Sequence, residues 1–288
     1  MTTLLSAPAA ALHGLRPARS RRYLMCAPEH FAVSYAINPW MDPTGPVDRT
    51  IALTQWQSLR QAYLDLGHRV ELIEPLPGLP DMVFAANGGL VFEGRALGAR
   101  FTFPQRHAEG PAYLRRLEQL GLAGVTVPTR VNEGEGDFLV VGGLVLAGTG
   151  FRTDPGAHAE VQELFGVPVI SLTLVDPRYY HLDTALAVLD DRNVAYYPAT
   201  FSTGSLRILQ RLFPDAVLAS EHDAGVLGLN AVSDGRHVVM AAQAVELAAD
   251  LRARDYEPVG VDLSELLKAG GGVKCCTMEL RGWVTSAH

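Results

Sequence analysis

Five small polar or reactive residues recur along this chain at nearly equal intervals. Successive members are 50, 44, 49 and 45 residues apart, and each introduces an apolar stretch that reads as a strand or hairpin. A recurrent period of about 47 residues is typical of a repeat architecture with one supersecondary unit per repeat. If the units close into a ring, equivalent positions meet at its axis and can form an active site. The five residues are Asn87, Asp137, His181, Asn230 and Cys275.

The segments between these stretches have a helical period, and each is followed by a short apolar strand. Asp48 is placed to cap the first helix, and Gly67 to end it. Its predicted apolar face comprises Ile51, Leu53, Trp56, Leu59, Tyr63 and Leu64. Each unit therefore reads as hairpin, helix, strand, and the N-terminal segment RYLMCAP with the helix after it would complete the fifth unit. We predict an α/β fold, a five-bladed pseudo-symmetric α/β propeller with an axial active site.

Composition limits the function classes. A chain of 288 residues with 48% hydrophobic content can bury a sizeable core, predicted as one catalytic domain over residues 21–288 behind a disordered tail, 1–20. The net charge of −7 argues against a nucleic-acid partner, and no apolar run is long enough to span a membrane. Three cysteines cannot form a disulfide framework, which favours the cytoplasm. A transit peptide is the alternative interpretation of the acid-free N-terminal segment.

The segment GGGVKCCTMEL near the C-terminus is the strongest chemical signal. Its glycines, Gly270–Gly272, permit unusual backbone paths and close approach by a ligand. Lys274 can favour the thiolate form of a neighbouring cysteine. Cys275 and Cys276 cannot face the same side of an extended segment, so one is expected at the axis and the other in the packing. A purely structural role remains the alternative for any buried cysteine.

A histidine and several carboxylates form a second group. His181 precedes a predicted strand, and Asp183 lies on its face if that strand is extended, which suits general acid and base chemistry. Glu133, Glu135 and Asp137 follow one another in a glycine-spaced turn. Such carboxylates make sense together around a cation, and we favour an organic cation over a metal.

Two asparagines and three arginines are weaker signals. Asn87 precedes a glycine, a common turn pattern, and Asn38 lies in the segment SYAINPWMDP. Arg152, and either Arg100 or Arg106, can bind a carboxylate, although each could equally be a surface arginine.

Five segments of the chain stand out together: INPWM, PDMVFAANGGLV, EGEGD, HLDTAL and GGGVKCCTMEL. They resemble the guanidine-modifying amidinotransferase superfamily, which includes arginine deiminases and dimethylarginine dimethylaminohydrolases. The match covers nearly the whole chain after the N-terminal tail, and INPWM and FAANGG look most like the bacterial arginine dihydrolase branch. The resemblance implies a five-bladed α/β propeller (pentein) with an axial site, a small guanidine amino acid as substrate, and neither metal nor cofactor.

The resemblance also implies roles for individual residues. It makes Cys275 the nucleophile and His181 the general acid and base. The implied substrate-binding residues are Glu133, Asp183, Asn87, Asn38, Arg152 and Arg100. Two departures from the family pattern stand out: an acidic residue is usual where Asn87 stands, and the usual EGGD is extended to EGEGD, which leaves Glu133 and Glu135 as alternatives.

The function implied is hydrolysis of arginine through a covalent cysteine thiouronium, giving ornithine, carbon dioxide and two ammonia. The neutral amide of Asn87 can both donate to a ureido oxygen and accept from its nitrogens, which suits retention of citrulline for a second attack. The alternatives are a dimethylarginine dimethylaminohydrolase, an arginine deiminase, an amidinotransferase, and a non-catalytic amino-acid-binding protein. A binding protein would need neither Cys275 nor His181.

Overall fold

A computed structural model describes residues 16–282 of the chain, where strands and helices alternate. The strands are β1 (Arg22–Cys26), β2 (Arg69–Ile73), β3 (Gly89–Phe92), β4 (Arg95–Gly98), β5 (Gly124–Thr126), β6 (Phe138–Val141), β7 (Leu144–Thr149), β8 (Val169–Thr173), β9 (Leu186–Val188), β10 (Val194–Tyr196), β11 (Val217–Leu218), β12 (Val232–Ser233), β13 (His237–Ala241), β14 (Glu257–Val261) and β15 (Met278–Glu279). The α-helices are α1 (Arg49–Asp65), α2 (Glu109–Gln119), α3 (Pro155–Phe165), α4 (Leu182–Ala185), α5 (Thr203–Leu212), α6 (Glu221–Gly225), α7 (Val245–Arg252) and α8 (Ser264–Leu267).

The strands of the described region form five three-stranded sheets of one design. Their orders are β3-β4-β5, β6-β7-β8, β9-β10-β11, β12-β13-β14 and β15-β1-β2. In every sheet the first strand is antiparallel to the middle strand, and the last strand returns parallel to it after a helical crossover. The fifth sheet joins both ends of the chain, because β15 pairs with β1. The hairpin, helix, strand unit predicted from the repeat is therefore present four times, and β15 with the N-terminal β1, α1 and β2 completes a fifth unit of the same layout.

Five hydrophobic clusters connect these sheets in a cyclic order. Each cluster draws buried side chains from two sheets that follow one another along the chain, and the last cluster joins the fourth sheet to the fifth. Since apolar burial contributes roughly 25 cal/mol per Å², these clusters hold the sheets together. Representative members are Leu24 with Val91, Leu90 with Phe138, Leu146 with Leu186, Ala195 with Val238, and Val239 with Tyr23. The named strands of the described residues pair only within their own unit, an isolated bridge between Leu174 and Phe201 links the second unit to the third, and no sheet closes on itself.

Part of the predicted N-terminal tail is bound to the fold. Arg16 donates to Asp190 and to the Arg254 carbonyl, and the Arg19 N–H donates to the Asp234 carbonyl. Residues 1–15 and 283–288 lie outside the described residues, so the rest of the tail prediction falls there. Within residues 16–282, no helix is both long and apolar enough to cross a membrane.

Candidate active site

The five recurrent residues of the sequence meet in the structure. Each lies shortly before the first strand of its sheet, and none of the five is more than 2% exposed: Asn87, Asp137, His181, Asn230 and Cys275. The equivalent loops of the five units therefore bring an amide, a carboxylate, an imidazole, a second amide and a thiol together in one buried cluster.

Hydrogen bonds run from each of these loops to the next. The Ala86 N–H donates to the Cys275 carbonyl over 3.0 Å, and the Cys275 N–H donates to Asn230 Oδ1 over 3.0 Å. Asn230 Nδ2 donates to the Asp183 carbonyl over 3.0 Å. The Leu182 N–H donates to Asp137 Oδ1 over 3.0 Å, and Asn87 Nδ2 donates to the Glu133 carbonyl over 3.4 Å. The cluster is thus fixed by groups from every unit.

Glycines make this close approach possible. A Cβ on Gly136 would lie 2.4 Å from Asn87 Nδ2 and 3.1 Å from His181 Nδ1, so Gly136 lies between these two side chains. A Cβ on Gly271 would lie 2.1 Å from the Phe84 ring. The sequence predicts that the glycines before the cysteines allow close approach by a ligand. In the structure, the groups that come close to them are protein side chains.

Cys275 lies in a turn that precedes β15, and not in the extended segment that the sequence suggested. Its Sγ is 3.3 Å from Asp183 Oδ2 and 3.1 Å from Asn230 Nδ2. Burial, and after it the Asp183 carboxylate, raises the pKa of the Cys275 thiol well above its usual value. Burial and the carboxylate therefore favour the protonated thiol, which donates to Asp183.

The two reactive neighbours of Cys275, Lys274 and Cys276, face elsewhere. Cys276 is fully buried in the hydrophobic cluster that contains Tyr63. Lys274 Nζ lies 2.5 Å from Glu135 Oε2 and also donates to the Thr277 carbonyl. The predicted help of Lys274 to the thiolate is therefore not direct, because its ammonium forms an ion pair with Glu135.

Asp183 keeps one oxygen free at the centre of the cluster. The residue is fully buried, and among residues 16–282 its Oδ1 has no hydrogen-bond partner. Burial raises the pKa of Asp183 to about 6, although His181 and Lys274 act in the opposite direction. The extended strand expected after His181 is wrong, because His181 precedes the single turn α4, which carries Asp183. A buried carboxyl with a free oxygen is suited to bind a cation.

His181 is oriented by Glu133. His181 Nε2 lies 2.8 Å from Glu133 Oε2, while its Nδ1 has no partner within the described residues. Glu133 Oε2 also accepts from Arg152, and its Oε1 accepts from the Thr102 N–H. Burial would raise the pKa of Glu133, but Arg152 and His181 outweigh it and hold that pKa well below its usual range. Both oxygens predicted to bind the guanidinium thus have protein partners.

The predicted arginine clamp is only partly present. The Arg152 guanidinium lies 4.6 Å from the ring centres of both Phe103 and Tyr180, and its Nη2 donates to the Ile37 carbonyl over 2.8 Å. Arg100 is exposed and donates to the Thr129 carbonyl. The alternation of the chain about Phe101, which is buried, turns Arg100 away from the cluster.

Arg106, which the sequence offered only as an alternative to Arg100, is the buried arginine beside Asn87. Its Nη1 donates to Asn87 Oδ1 over 2.8 Å, and its Nε and Nη2 form a bidentate pair with Glu109. This charged donor orients the amide, so that Asn87 Nδ2 faces Gly136 and His181. Burial raises the pKa of Glu109 to about 7 despite Arg106. The i, i+3 spacing of Arg106 and Glu109 was the one available sequence signal.

A segment of the N-terminal region, residues 35–40, lies against the cluster and is held by three parts of the fold. Tyr35 donates to Asp81 Oδ2 over 3.0 Å, and Trp40 Nε1 donates to the Arg178 carbonyl over 2.7 Å. Asn38 donates to the Ala269 carbonyl and accepts from the Trp40 N–H, so its amide has protein partners. Tyr35 and Ile37 pack against the hydrophobic cluster that contains Cys275, and Cys275 is only 2% exposed. We therefore call residues 35–40 the cover segment.

Comparison with known proteins places the chain in a family. No family model matches it. It is 59% identical over 265 residues to an N(G),N(G)-dimethylarginine dimethylaminohydrolase of Mycobacterium tuberculosis, which covers 92% of this chain and 87% of that protein. The chain belongs to the guanidine-modifying amidinotransferase superfamily. It is also 35% identical over 265 residues to the bifunctional arginine dihydrolase/ornithine cyclodeaminase AgrE of Nostoc, of which it covers 38%.

Solved structures of the superfamily share the fold. The N-terminal domain of ArgZ, an arginine dihydrolase from cyanobacteria, superposes with a TM-score of 0.87 at 33% identity, covering 91% of this chain and 98% of that domain. That domain was solved as a Cys-to-Ser variant bound to substrate. A dimethylarginine dimethylaminohydrolase of Pseudomonas aeruginosa, at 20% identity and a TM-score of 0.75, has the same fold. The superfamily resemblance is confirmed, and the chain is a C–N hydrolase acting on guanidino groups.

Proposed function

We propose that this enzyme hydrolyses the guanidino C–N bonds of free arginine, with Cys275 as nucleophile at the axis of a five-bladed α/β propeller. One observation carries the proposal: the thiol of Cys275 lies beside the half-free carboxylate of Asp183, in the same buried cluster as the His181–Glu133 pair. These are the groups needed to hold a cation, attack its carbon and move protons.

Substrate binding replaces the contact between the thiol and Asp183. A guanidinium that docks on Asp183 brings a positive charge next to Cys275 Sγ and neutralises the carboxylate that raises the thiol pKa. The substrate cation itself therefore favours the thiolate. Movement of the cover segment would free Arg152 Nη2 from the Ile37 carbonyl, so that it can bind the substrate carboxylate.

The first hydrolysis proceeds in two steps. The Cys275 thiolate adds to the guanidinium carbon, and collapse of the adduct breaks one C–N bond, with His181 supplying the proton that lets ammonia leave. A thiouronium remains on Cys275. His181 then takes a proton from water, and the hydroxide adds to the same carbon. Cleavage of the C–S bond restores the thiolate, and transfer of the hydroxyl proton to the released ammonia leaves the ureido group of citrulline.

The orientation of Asn87 supports a second hydrolysis. Arg106 occupies Asn87 Oδ1, which leaves the Nδ2 donor on the His181 side, where it can hold a neutral ureido oxygen. The thiolate then attacks the ureido carbon and a second ammonia leaves. Hydrolysis of the resulting thiocarbamate gives a carbamate, which loses carbon dioxide to give ornithine. Two waters are consumed, and two ammonia are released per arginine.

A second candidate is hydrolysis of dimethylarginine to citrulline and dimethylamine. It is favoured by the 59% identity to the Mycobacterium tuberculosis protein that carries this name. The reaction uses the same attack of Cys275 on the same carbon, with dimethylamine in place of ammonia as the leaving group. The two candidates differ in the substrate and in the number of hydrolytic cycles.

Product analysis with arginine, citrulline and dimethylarginine tests both candidates. The proposal expects ornithine and two ammonia per arginine, and loss of turnover in Cys275→Ser while Cys276→Ser stays active. Dimethylamine formed in clear preference to arginine hydrolysis would favour the second candidate. A covalent adduct on Cys276 would overturn the choice of nucleophile.

Replacing the Asn87 amide by a carboxylate tests the second hydrolysis. Asn87→Asp keeps an acceptor for Arg106 but removes the Nδ2 donor, so the variant is expected to bind arginine, release the neutral intermediate and accumulate citrulline. The measurement is a mass-balanced product analysis beside Asn193→Asp, which makes the same exchange on the β9–β10 hairpin. Citrulline as the sole wild-type product would show that Asn87 does not confer dihydrolysis.

A further inference from the structure

Asn230 takes no part in the chemistry described above, yet its side chain is bonded to the nucleophile at two points. Nδ2 lies 3.1 Å from Cys275 Sγ, and Oδ1 accepts from the Cys275 N–H over 3.0 Å. We propose that Asn230 is a catalytic residue whose amide N–H stabilises the Cys275 thiolate and whose amide oxygen sets the position of the sulfur. This inference rests on the proposed role of Cys275 as nucleophile.

The amide is held in one orientation. The backbone N–H of Cys275 can only donate, so it selects Oδ1 and leaves the NH₂ group facing the sulfur. That group also donates to the Asp183 carbonyl over 3.0 Å, and the Lys274 N–H donates to the Asn230 carbonyl. Asn230 is 0% exposed, so water cannot replace these contacts. The N–H that points at the sulfur is therefore preorganised before any substrate arrives.

A fixed donor at this point has a chemical consequence. The thiol of Cys275 is buried and faces a carboxylate, and both conditions disfavour the thiolate. A hydrogen bond from a neutral amide strengthens when its acceptor gains a negative charge, so it favours the thiolate over the thiol. Because the thiolate is the nucleophile, Asn230 is expected to act on the attack and on the departure of sulfur when the C–S bond breaks.

The packing around Asn230 also supports this role. A Cβ on Gly272 would lie 2.9 Å from Asn230 Oδ1, so the glycine segment leaves room for this side chain against the turn that carries Cys275. Gly272 accepts from the Cys276 N–H within that turn. The amide oxygen thus accepts a hydrogen bond from the turn that carries Cys275. One residue, Asn230, therefore affects both the position of the sulfur and its charge.

Asn230→Asp separates the electronic role from a structural one. The variant has nearly the same shape and keeps the acceptor for the Cys275 N–H, but it presents a carboxylate to the sulfur in place of a donor. The pH dependence of Cys275 alkylation by iodoacetamide, followed by peptide mass spectrometry, is measured without substrate in wild type, Asn230→Asp, Asn230→Ser and the control Asn193→Asp. Steady-state kinetics with arginine and thermal unfolding are measured on the same four proteins.

In Asn230→Asp, the alkylation midpoint is expected to rise by about one pH unit or more, because a like charge replaces a donor. The value of kcat at pH 7 should fall at least about tenfold and recover in part at higher pH, while Asn193→Asp matches wild type. Asn230→Ser should give an intermediate midpoint, and it decides the question if Asn230→Asp does not fold.

An unchanged midpoint in the folded variants, whatever their activity, would overturn the proposal and leave Asn230 a structural residue. Failure of the proposed function gives a different result. Wild-type protein that turns over neither arginine nor dimethylarginine would refute that function, while the alkylation midpoints would still decide the role of Asn230.

Discussion

At the scale of the residue, the site combines groups whose charges are set by burial. Asp183 and Glu133 are both buried carboxyls, yet their pKa values move in opposite directions. Glu133 has Arg152 and His181 at hydrogen-bond distance, whereas Asp183 faces a thiol and keeps one oxygen free. Glu133 is thus a fixed anion that orients His181, and Asp183 is poised to gain a cationic partner. In the proposed function, the substrate guanidinium supplies this partner.

Arginine binding should depend on the ionisation of Asp183. Since burial raises its pKa to about 6, the free carboxyl becomes an anion only as the pH rises through that value. In Cys275→Ser, which cannot turn over, affinity for arginine measured by calorimetry should increase between pH 5 and pH 7. The same measurement on Cys275→Ser with Asp183→Asn should show weak binding and no such increase. An equal increase in both proteins would assign the effect to another group.

The ionised Asp183 carboxylate should destabilise the folded state at neutral pH. The folded pKa of Asp183 lies above the ordinary unfolded value, so the folded state binds more protons and its stability falls as the pH rises from about 4 to about 6. Asp183→Asn should therefore raise the free energy of unfolding at pH 7, by an amount of the order of 2 kcal/mol, and change it little near pH 4. Denaturant melts at both pH values check this, with exposed Asp191→Asn as the control. Destabilisation at pH 7 would contradict it.

At the scale of the element, α1 shows how far a local sequence pattern predicts structure. Asp48 caps α1 as predicted, accepting from the Thr50 and Ile51 N–H groups. Trp56, Leu59 and Tyr63 of the predicted apolar face are buried, but Ile51 and Leu64 are 46% and 37% exposed. Ala52 and Gln55 are buried in their place, because the helix packs against α8 and β14 through a face rotated from the one expected.

The cover segment should control access to Cys275. Trp40→Ala removes the bond to the Arg178 carbonyl and the ring that packs near Gly270, so residues 35–40 should open more often. Alkylation of Cys275 without substrate is expected to accelerate several-fold, and arginine affinity to fall, as followed by mass spectrometry and calorimetry. Trp40→Phe, which keeps a ring but loses the N–H, should lie between wild type and Trp40→Ala. Slower or unchanged alkylation in Trp40→Ala would contradict this role.

At the scale of the whole molecule, the site depends on the joining of the two ends of the chain. Cys275 precedes β15, whose partner β1 lies more than 240 residues earlier in the sequence. The fifth sheet contacts both the first and the fourth through hydrophobic clusters. Cys275 is thus held next to the most non-local strand pairing of the described residues, and its position depends on packing around the whole cycle.

Loss of packing at this junction should loosen the turn that carries Cys275. Leu24 is fully buried in the cluster between the fifth and first sheets, so Leu24→Ala should lower stability by about 2–5 kcal/mol. Hydrogen exchange should show reduced protection at Met278 and Glu279, and kcat should fall. Leu218→Ala, at a side chain that is 53% exposed, is the control and should change little. Full protection of β15 in a destabilised Leu24→Ala would show that closure does not position Cys275.

The sequence by itself determined the repeat, the design of the unit, and the five residues that meet, because period and turn chemistry are local properties. It also indicated the chemistry, since a thiol, an imidazole and carboxylates in equivalent positions imply convergence. Tertiary structure alone decided which groups are partners. Glu133 bonds to His181, Lys274 to Glu135, and Arg106 rather than Arg100 to Asn87. The first two pairs join different units, and the third joins two separate loops of the first unit. Such contacts depend on side-chain direction and burial, which no local pattern contains.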